Sequence, residues 1–519
     1  MSDTIHSLEY IFHPRSIAVC GAFNHPFRWW LKEYYIDPFV QGGYRGSLYL
    51  VDPSGGEIAG LPIYVSLHDI PGPVDYVICC ISGSKIPGLI EECGDMGVKV
   101  IQIFTAGLAE TGEPECIALQ ERLVEIARAS GMRIIGPNCM GLYYPQGGLS
   151  FGADFPIEPG PIGLLCQSGG NTTYIVRLAA DRGLRFNKVV GYGNASDINE
   201  CDLLEYMAAD PEIKVIAAYI EGTRDGARFL RALTSAASAK PVVVFKGGYT
   251  EGGGRATASH TGALAGSDAA WDALLKQAGA IRVYSVEEMV DMLMALLRME
   301  PPLGPNVCGV GNGGGSSVLA TDECEKAGLK MIPIPTETRE RLKAFIPLAG
   351  SMLRNPIDGG FLIMTYTDGT FNGHPVPSWE EALKAVKVEP GDRAWGDFLD
   401  IIEGWRELDM VLFHFSVDIN PITITEWRIG TAVGLMVAGA KACRLPKAIV
   451  VQMLANEGSV RAAQGALQLC KEGGLPVFFS VRGAAQAIRR LIDYNREHPG
   501  MLAKLHSLGH NAIGQQSSD

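Results

Sequence analysis

The chain has 519 residues, 47 % hydrophobic and 19 % charged, which excludes a disordered chain and, at about 150 residues per domain, asks for three or four domains. With 44 Lys+Arg against 57 Asp+Glu the net charge is −13, so nucleic acid is excluded as the main partner, although local backbone N–H groups can still hold a small anion. The N-terminal MSDTIHSLEY has no basic or apolar leader region, and no apolar run approaches the roughly 18 residues of a membrane helix, so neither is expected. The 12 Cys form no CxxC pair. They read as buried small hydrophobes of a reducing cytoplasm, with no metal site expected.

Three blocks follow one another. In residues 1–150 the apolar runs SIAVCGA (16–22), SLYLVDP (47–53), VDYVICCI (74–81), VKVIQIF (98–104) and MRIIGPN (132–138) suit strands covered on both faces. Helical patterns lie between them, clearest over 115–130, so the block predicts a doubly wound α/β domain. Residues 151–302 repeat the pattern with PIGLLCQ, KVVGYG, KVIAAYIEG and KPVVVFKGG, then a helix over 285–299 and a linker at Pro301-Pro302. Residues 303–500 begin with NVCGVGNGGG and continue with MVLFHFSVD, KAIVVQML and LPVFFSV. A stretch of different texture at about 361–408 reads as an insertion with one or two helices, and the tail 501–519 as polar and frayed.

Two loops follow strands and open helices. One holds Ser168, Gly169, Gly170 and Asn171; the other holds Gly313, Gly314, Gly315 and Ser316. Free N–H groups and the helix dipole at such a turn favour an anion, although either loop can equally be a tight βα turn. The segment 246–279 is Gly/Ala/Thr/Ser-rich for some twenty residues and carries His260 among small neighbours. It reads as a long mobile loop. A surface or capping histidine fits that place, and so does a nucleophilic imidazole that relays a phosphoryl group. Such a ring needs an orienting carboxylate, and Glu221 stands at the C-terminal end of a predicted strand, where α/β sheets place functional residues. One βα unit separates the two residues.

At this point several segments together resemble one family: SHTGALAGSD (259–268), YIEGTRDGARF (219–229), GYGNASDINECDLLEY (191–206), GPNCMG (136–141), GNGGGSSVLATDECEKAGL (311–329) and NPID (355–358). They resemble the NDP-forming acyl-CoA synthetases, relatives of succinyl-CoA synthetase, and within them the ADP-forming acetyl-CoA synthetase α subunits. The resemblance is dense over about residues 10–360 and looser beyond. It implies an N-terminal Rossmann-like CoA-binding domain followed by two flavodoxin-like doubly wound domains. It implies the reversible reaction of acid, CoA and ATP to acyl-CoA, ADP and phosphate, through an acyl phosphate and a phosphohistidine at His260 with Glu221 as its stabilising carboxylate. The two glycine loops then hold phosphate. CoA is expected against Gly21, Ala22, Phe23, Pro26, Asp52, Ser82, Lys85, Asn138 and Cys139.

No stretch of the chain has room for an ATP-grasp domain, so ATP/ADP and Mg²⁺ are expected on a separate ATP-grasp β subunit, in an α2β2 assembly. The chain departs from the family after IAVCG, where Phe23 takes a Ser position and Trp29 or Trp30 falls near an expected Gly. These bulky residues either block the phosphate approach or stack on adenine. That leaves a second reading, a CoA-responsive binding or scaffold protein without ligase activity. A third, a Rossmann dehydrogenase, founders because the turn at residues 21–26 is not GxGxxG.

Overall fold

The computed structural model describes residues 8–21, 23, 29–261, 267–311, 313–343, 353–358, 393–416, 434, 436–452 and 457–506. The chain forms two compact units, Met1–Met289 and Val290–Asp519, and the division falls inside one helix rather than at Pro301-Pro302.

The first unit holds two sheets. The first sheet contains β1 (Ser16–Cys20), β2 (Ser47–Val51), β3 (Gly56–Ile58), β4 (Leu61–Tyr64), β5 (Tyr76–Cys79), β6 (Val100–Ile103) and β7 (Arg133–Ile135), in the order β3-β4-β2-β1-β5-β6-β7. All five apolar runs of the first block are strands here, and β1, β5 and β6 are buried throughout. Helices α1 (Trp29–Tyr35), α2 (Asp37–Gln41), α3 (Ile86–Asp95) and α4 (Pro114–Ala129) connect them. The hairpin β3–β4 was not foreseen. Its turn is Ala59-Gly60, both at positive φ, and Ala at such a position gives no turn signal. Chain direction across the sheet reverses between β1 and β5, which places a crevice at their C-terminal ends.

The second sheet contains β8 (Gly141–Tyr143), β9 (Ile162–Cys166), β10 (Phe186–Gly191), β11 (Val215–Ile220), β12 (Val242–Lys246) and β13 (Ile281–Val283). Its order is β13-β12-β11-β9-β10-β8. Taken from β9 onward, this is the flavodoxin-like 2-1-3-4-5 order, with the crevice between β9 and β11. The helices are α5 (Gly169–Asp181), α6 (Glu200–Ala209), α7 (Gly226–Ala239), α8 (Glu251–Thr261), α9 (Asp268–Ala278) and α10 (Val286–Arg298). Strand β8 belongs to the first block by sequence, yet it pairs antiparallel with β10.

The second unit repeats the flavodoxin-like order with β14 (Val307–Gly311), β15 (Ile357–Asp358), β16 (Met410–Ser416), β17 (Lys447–Gln452) and β18 (Val477–Phe478), arranged β15-β14-β16-β17-β18. Helices α11 (Gly314–Lys326), α12 (Thr336–Leu342), α13 (Arg393–Glu403), α14 (Glu457–Glu472) and α15 (Val481–Glu497) accompany them. Of the expected insertion, residues 393–408 are described and begin with α13; the rest lies outside the described residues. The tail departs from expectation. Residues 501–506 are helical with Leu502 and Leu505 buried, because the apolar positions in MLAKL fall on one helix face.

All 12 cysteines are free thiols and all but Cys116 are buried. Among the described residues no helix is long and apolar enough to cross a membrane.

Candidate active site

At the C-terminal edge of the second sheet, β9 runs through Gln167 and Ser168 into α5. Ser168 caps the helix, its hydroxyl accepting the Asn171 N–H at 3.4 Å. Thr172 donates its hydroxyl back to the Ser168 carbonyl at 2.7 Å and stiffens the turn. A Cβ on Gly169 would meet Met140 Cγ at 2.7 Å, so glycine is needed there, whereas a Cβ on Gly170 would face open space. The N-terminus of α5 is therefore open beside Gly170, while its Asn171 N–H is taken by the Ser168 cap.

Glu221 follows β11 across the same crevice. It is 3 % exposed, so it is no solvent-facing strand end. The Tyr219 hydroxyl donates to its Oε1 at 3.2 Å. Gln167, which sequence reasoning missed, accepts the backbone N–H of Glu221 at 2.7 Å and of Gly222 at 3.3 Å, and so ties the two loops together. Its only signal was its place immediately before the Ser-Gly-Gly turn. Burial pushes the Tyr219 phenol well up, with Glu221 acting the same way and a side-chain hydrogen bond to Asn171 opposing. At the end of β12 the Lys246 ammonium is buried, 5.2 Å from the Trp271 ring centroid, and donates to the Gly247 carbonyl.

The segment after Lys246 corrects the sequence expectation. Instead of a long loop, residues Glu251–Thr261 form α8. Thr250 starts it, its Oγ1 accepting the Gly253 N–H at 3.1 Å, and Arg255 pairs with Glu251 at 2.9 Å one turn on. His260 is the penultimate residue of this helix; its side chain, and residues 262–266, lie outside the described residues.

In the first sheet Gly21 follows β1, and a Cβ there would meet Leu31 at 2.9 Å. Asp52 is buried and holds the turn after β1: its Oδ2 accepts the Phe23 N–H at 2.6 Å and its Oδ1 the Ser54 hydroxyl at 2.8 Å. Ser82 and Lys85 are exposed on the turn after β5, on the other side of the β1/β5 crevice. Asn138, at φ 56°, reaches Asn194 Oδ1 at 3.5 Å. Cys139 faces the interior, its thiol on the Ile103 carbonyl at 3.4 Å and its pKa raised by burial, so it offers a ligand only its backbone. Ala22 and Pro26 lie outside the described residues. Trp29 is 64 % exposed, while Trp30 lies 4.9 Å from Phe104 between ring centroids.

Two of the quoted motifs meet in space. Asn194 donates its backbone N–H to the Pro137 carbonyl at 2.9 Å, and a Cβ on Gly193 would fall 2.2 Å from that same carbonyl oxygen. The first two sheets are thus joined through residues 136–138 and 193–196.

In the second unit Gly313, at φ 90°, precedes α11 without a side-chain cap. Ser316 donates to the Gly313 carbonyl at 2.8 Å, and Gly315 faces open space. The Gly313 N–H goes to Asp358 Oδ1 at 3.2 Å. His414, on β16, is a residue the sequence reading passed over as part of a strand.

A mostly parallel sheet with a crevice at its switch point, followed by flavodoxin-like sheets whose glycine turns open helices, is the succession of parts of the succinyl-CoA ligase class. The model of the CoA binding domain matches residues 15–145, and that of the succinyl-CoA ligase like flavodoxin domain matches residues 159–296. The acetate–CoA ligase [ADP-forming] I subunit alpha of Pyrococcus furiosus is 38 % identical over 361 residues, 68 % of this chain and 76 % of that one. The acetate–CoA ligase [ADP-forming] of Methanocaldococcus jannaschii is 36 % identical over 68 % of this chain and 49 % of its own. A dinucleotide-forming acetyl-coenzyme A synthetase 1 of Ca. Korarchaeum cryptofilum, solved with phosphate and ADP, superposes with a TM-score of 0.71 at 27 % identity, covering 96 % of this chain and 98 % of that one. The chain belongs to the NDP-forming acyl-CoA synthetase family, among the α subunits of its ADP-forming ligases.

Proposed function

We propose that the chain is the α subunit of an acid–CoA ligase that works through an acyl phosphate and a phosphohistidine at His260. The observation that carries this reading is the pairing, across one sheet crevice, of the open α5 N-terminus with the buried Glu221, beside the strand that leads into the helix of His260. Phosphate attacks the thioester carbonyl of acyl-CoA, and CoA leaves as its thiol. A ring nitrogen of His260 then takes the phosphoryl group, and the carboxylic acid leaves. Glu221 accepts the other ring N–H, which leaves the attacking lone pair free and balances the positive ring. The N–H groups of Gly169 and Gly170, and those of Gly313, Gly314, Gly315 and Ser316, hold phosphoryl oxygens. CoA lies along the β1/β5 crevice, against the turns of Gly21 and Phe23 and of Ser82 and Lys85.

The phosphohistidine passes its phosphoryl group to ADP on a separate ATP-grasp subunit, which also holds Mg²⁺, in an α2β2 assembly. That this chain matches only 49 % of the Methanocaldococcus relative, while the Pyrococcus relative is named a subunit alpha, supports a second chain. The 12 cysteines, none of them in a disulfide, support a cytoplasmic setting.

The test is labelling from radioactive acyl phosphate. Label should be acid-labile and base-stable, and His260→Ala should abolish it. Glu221→Gln should keep the fold but slow transfer by about 10²- to 10⁴-fold, because an amide orients the ring without balancing its charge. Undiminished label in His260→Ala would place the nucleophile elsewhere.

A further inference from the structure

In the second unit Asp358, Gly311 and His414 stand in register on three adjacent parallel strands, with the glycine between the two side chains. Gly311 leaves that space to the imidazole: a Cβ there would lie 2.3 Å from both Cε1 and Nε2 of His414. The ring therefore leans over Gly311 toward the strand of Asp358. It is 0 % exposed, and neither ring nitrogen has a hydrogen-bond partner among the described residues. Native structures rarely leave buried polar atoms in that state without a use for them.

Asp358 meanwhile holds the Gly313 N–H, the first amide of the turn into α11. Its carboxylate thus sits where a phosphoryl oxygen would bind. Two anions cannot share one amide: like charges at that range repel, and the dipole of a single helix offsets only part of one charge. An incoming phosphoryl group must take the amide, and the His414 imidazole across Gly311 then offers the displaced carboxylate a donor. The neutral imidazole across Gly311 has one N–H and no partner for it. Burial, with Asp358 opposing, pushes its pKa down to about 4, so it meets the carboxylate as a neutral donor at physiological pH.

We propose that His414 is a positioning residue for the phosphoryl loop of the second unit, taking the Asp358 carboxylate when an anion displaces it from the Gly313 amide. The proposal rests on the reading of that loop as a phosphate site. No proton or bond changes hands; one hydrogen-bond acceptor moves between two donors.

The test uses the full chain with inorganic phosphate as probe, in a Gly170→Ala background that closes the loop of the first unit. Calorimetry should show His414→Leu weakening phosphate by about tenfold, the worth of one charge-assisted hydrogen bond. His414→Gln, which keeps an N–H, should stay within about threefold. Adding Asp358→Asn to His414→Leu should restore binding, because a neutral amide no longer competes. A merely structural histidine would not give that recovery. Should His414→Leu fail to fold, the ring nitrogens of ¹⁵N-histidine-labelled wild type supply the answer, since phosphate should shift the His414 signals. If Gly315→Ala leaves phosphate binding intact, the loop reading itself fails. If Gly315→Ala abolishes binding while His414→Leu binds as wild type, or the ring signals stay still, the role of His414 alone is overturned.

Discussion

Lys246 carries its ammonium into the interior at the end of β12, where burial pushes its pKa down to about 8; Glu221 opposes this, Arg282 adds to it and Asp268 opposes it more weakly. The sign of the consequence follows from proton counting. Between about pH 8 and the ordinary lysine value of 10.5 the unfolded chain keeps a proton that the folded chain has lost, so stability rises with pH across that window. Below it both states are protonated and the folded state bears the cost of a buried charge. Lys246→Met removes the group, so the stability of wild type relative to this variant should climb between about pH 7.5 and about pH 9.5 in denaturant titrations. A difference that stays flat would mean that the ammonium is solvated in the folded state. Glu221 and Lys246 feel each other's charge, so the same variant should alter the proposed transfer to His260 more than it alters CoA binding.

Among the elements, the α5 turn makes the sharpest prediction. Gly170 sits in the first turn of a helix with open space where a side chain would go. Gly170→Ala should therefore stabilise the fold by up to about 1 kcal/mol, as alanine does in helices. The new methyl would also stand in the anion's volume, so phosphohistidine labelling should fall while thermal stability holds or rises. Unchanged labelling would detach the turn from the chemistry. Both glycine turns were legible in the sequence because their signal is local, a strand followed by Gly-Gly or Gly-Gly-Gly and a helical pattern. The helix of His260 was not, since EGGGRATASHT has three glycines and no apolar stripe; what starts it is the Thr250 hydroxyl. Gln167 and His414 escaped for a related reason. Each lies in an apolar strand run, and its importance comes from what the neighbouring strand brings opposite it: two backbone amides for Gln167, a glycine for His414.

At the scale of the whole chain, the alternation of strand and helix was enough to read three α/β blocks, because buried parallel strands are continuous apolar runs. The resemblance to ADP-forming ligases supplied what alternation cannot, the chemistry of the site. The proposed division of the nucleotide chemistry onto a second chain leads to a prediction. The purified chain should make no CoA thioester from ATP, CoA and acid until a partner chain is added, and full turnover alone would refute the division into subunits. Sequence reading failed at the seam between the first two blocks. The strand Gly141–Tyr143 leaves the first sheet's neighbourhood and closes the open side of β10 in the second. Severed from it, a fragment beginning at residue 159 would present β10 as a bare edge over Val189–Gly191, with unpaired amides and carbonyls. Such a fragment should come out of cells as aggregate, whereas one that begins at residue 8 and ends after α10 should remain dispersed. The strap has a genealogical consequence too: a recombination event that shuffled the flavodoxin-like block without these three residues would hand its host a sticky sheet.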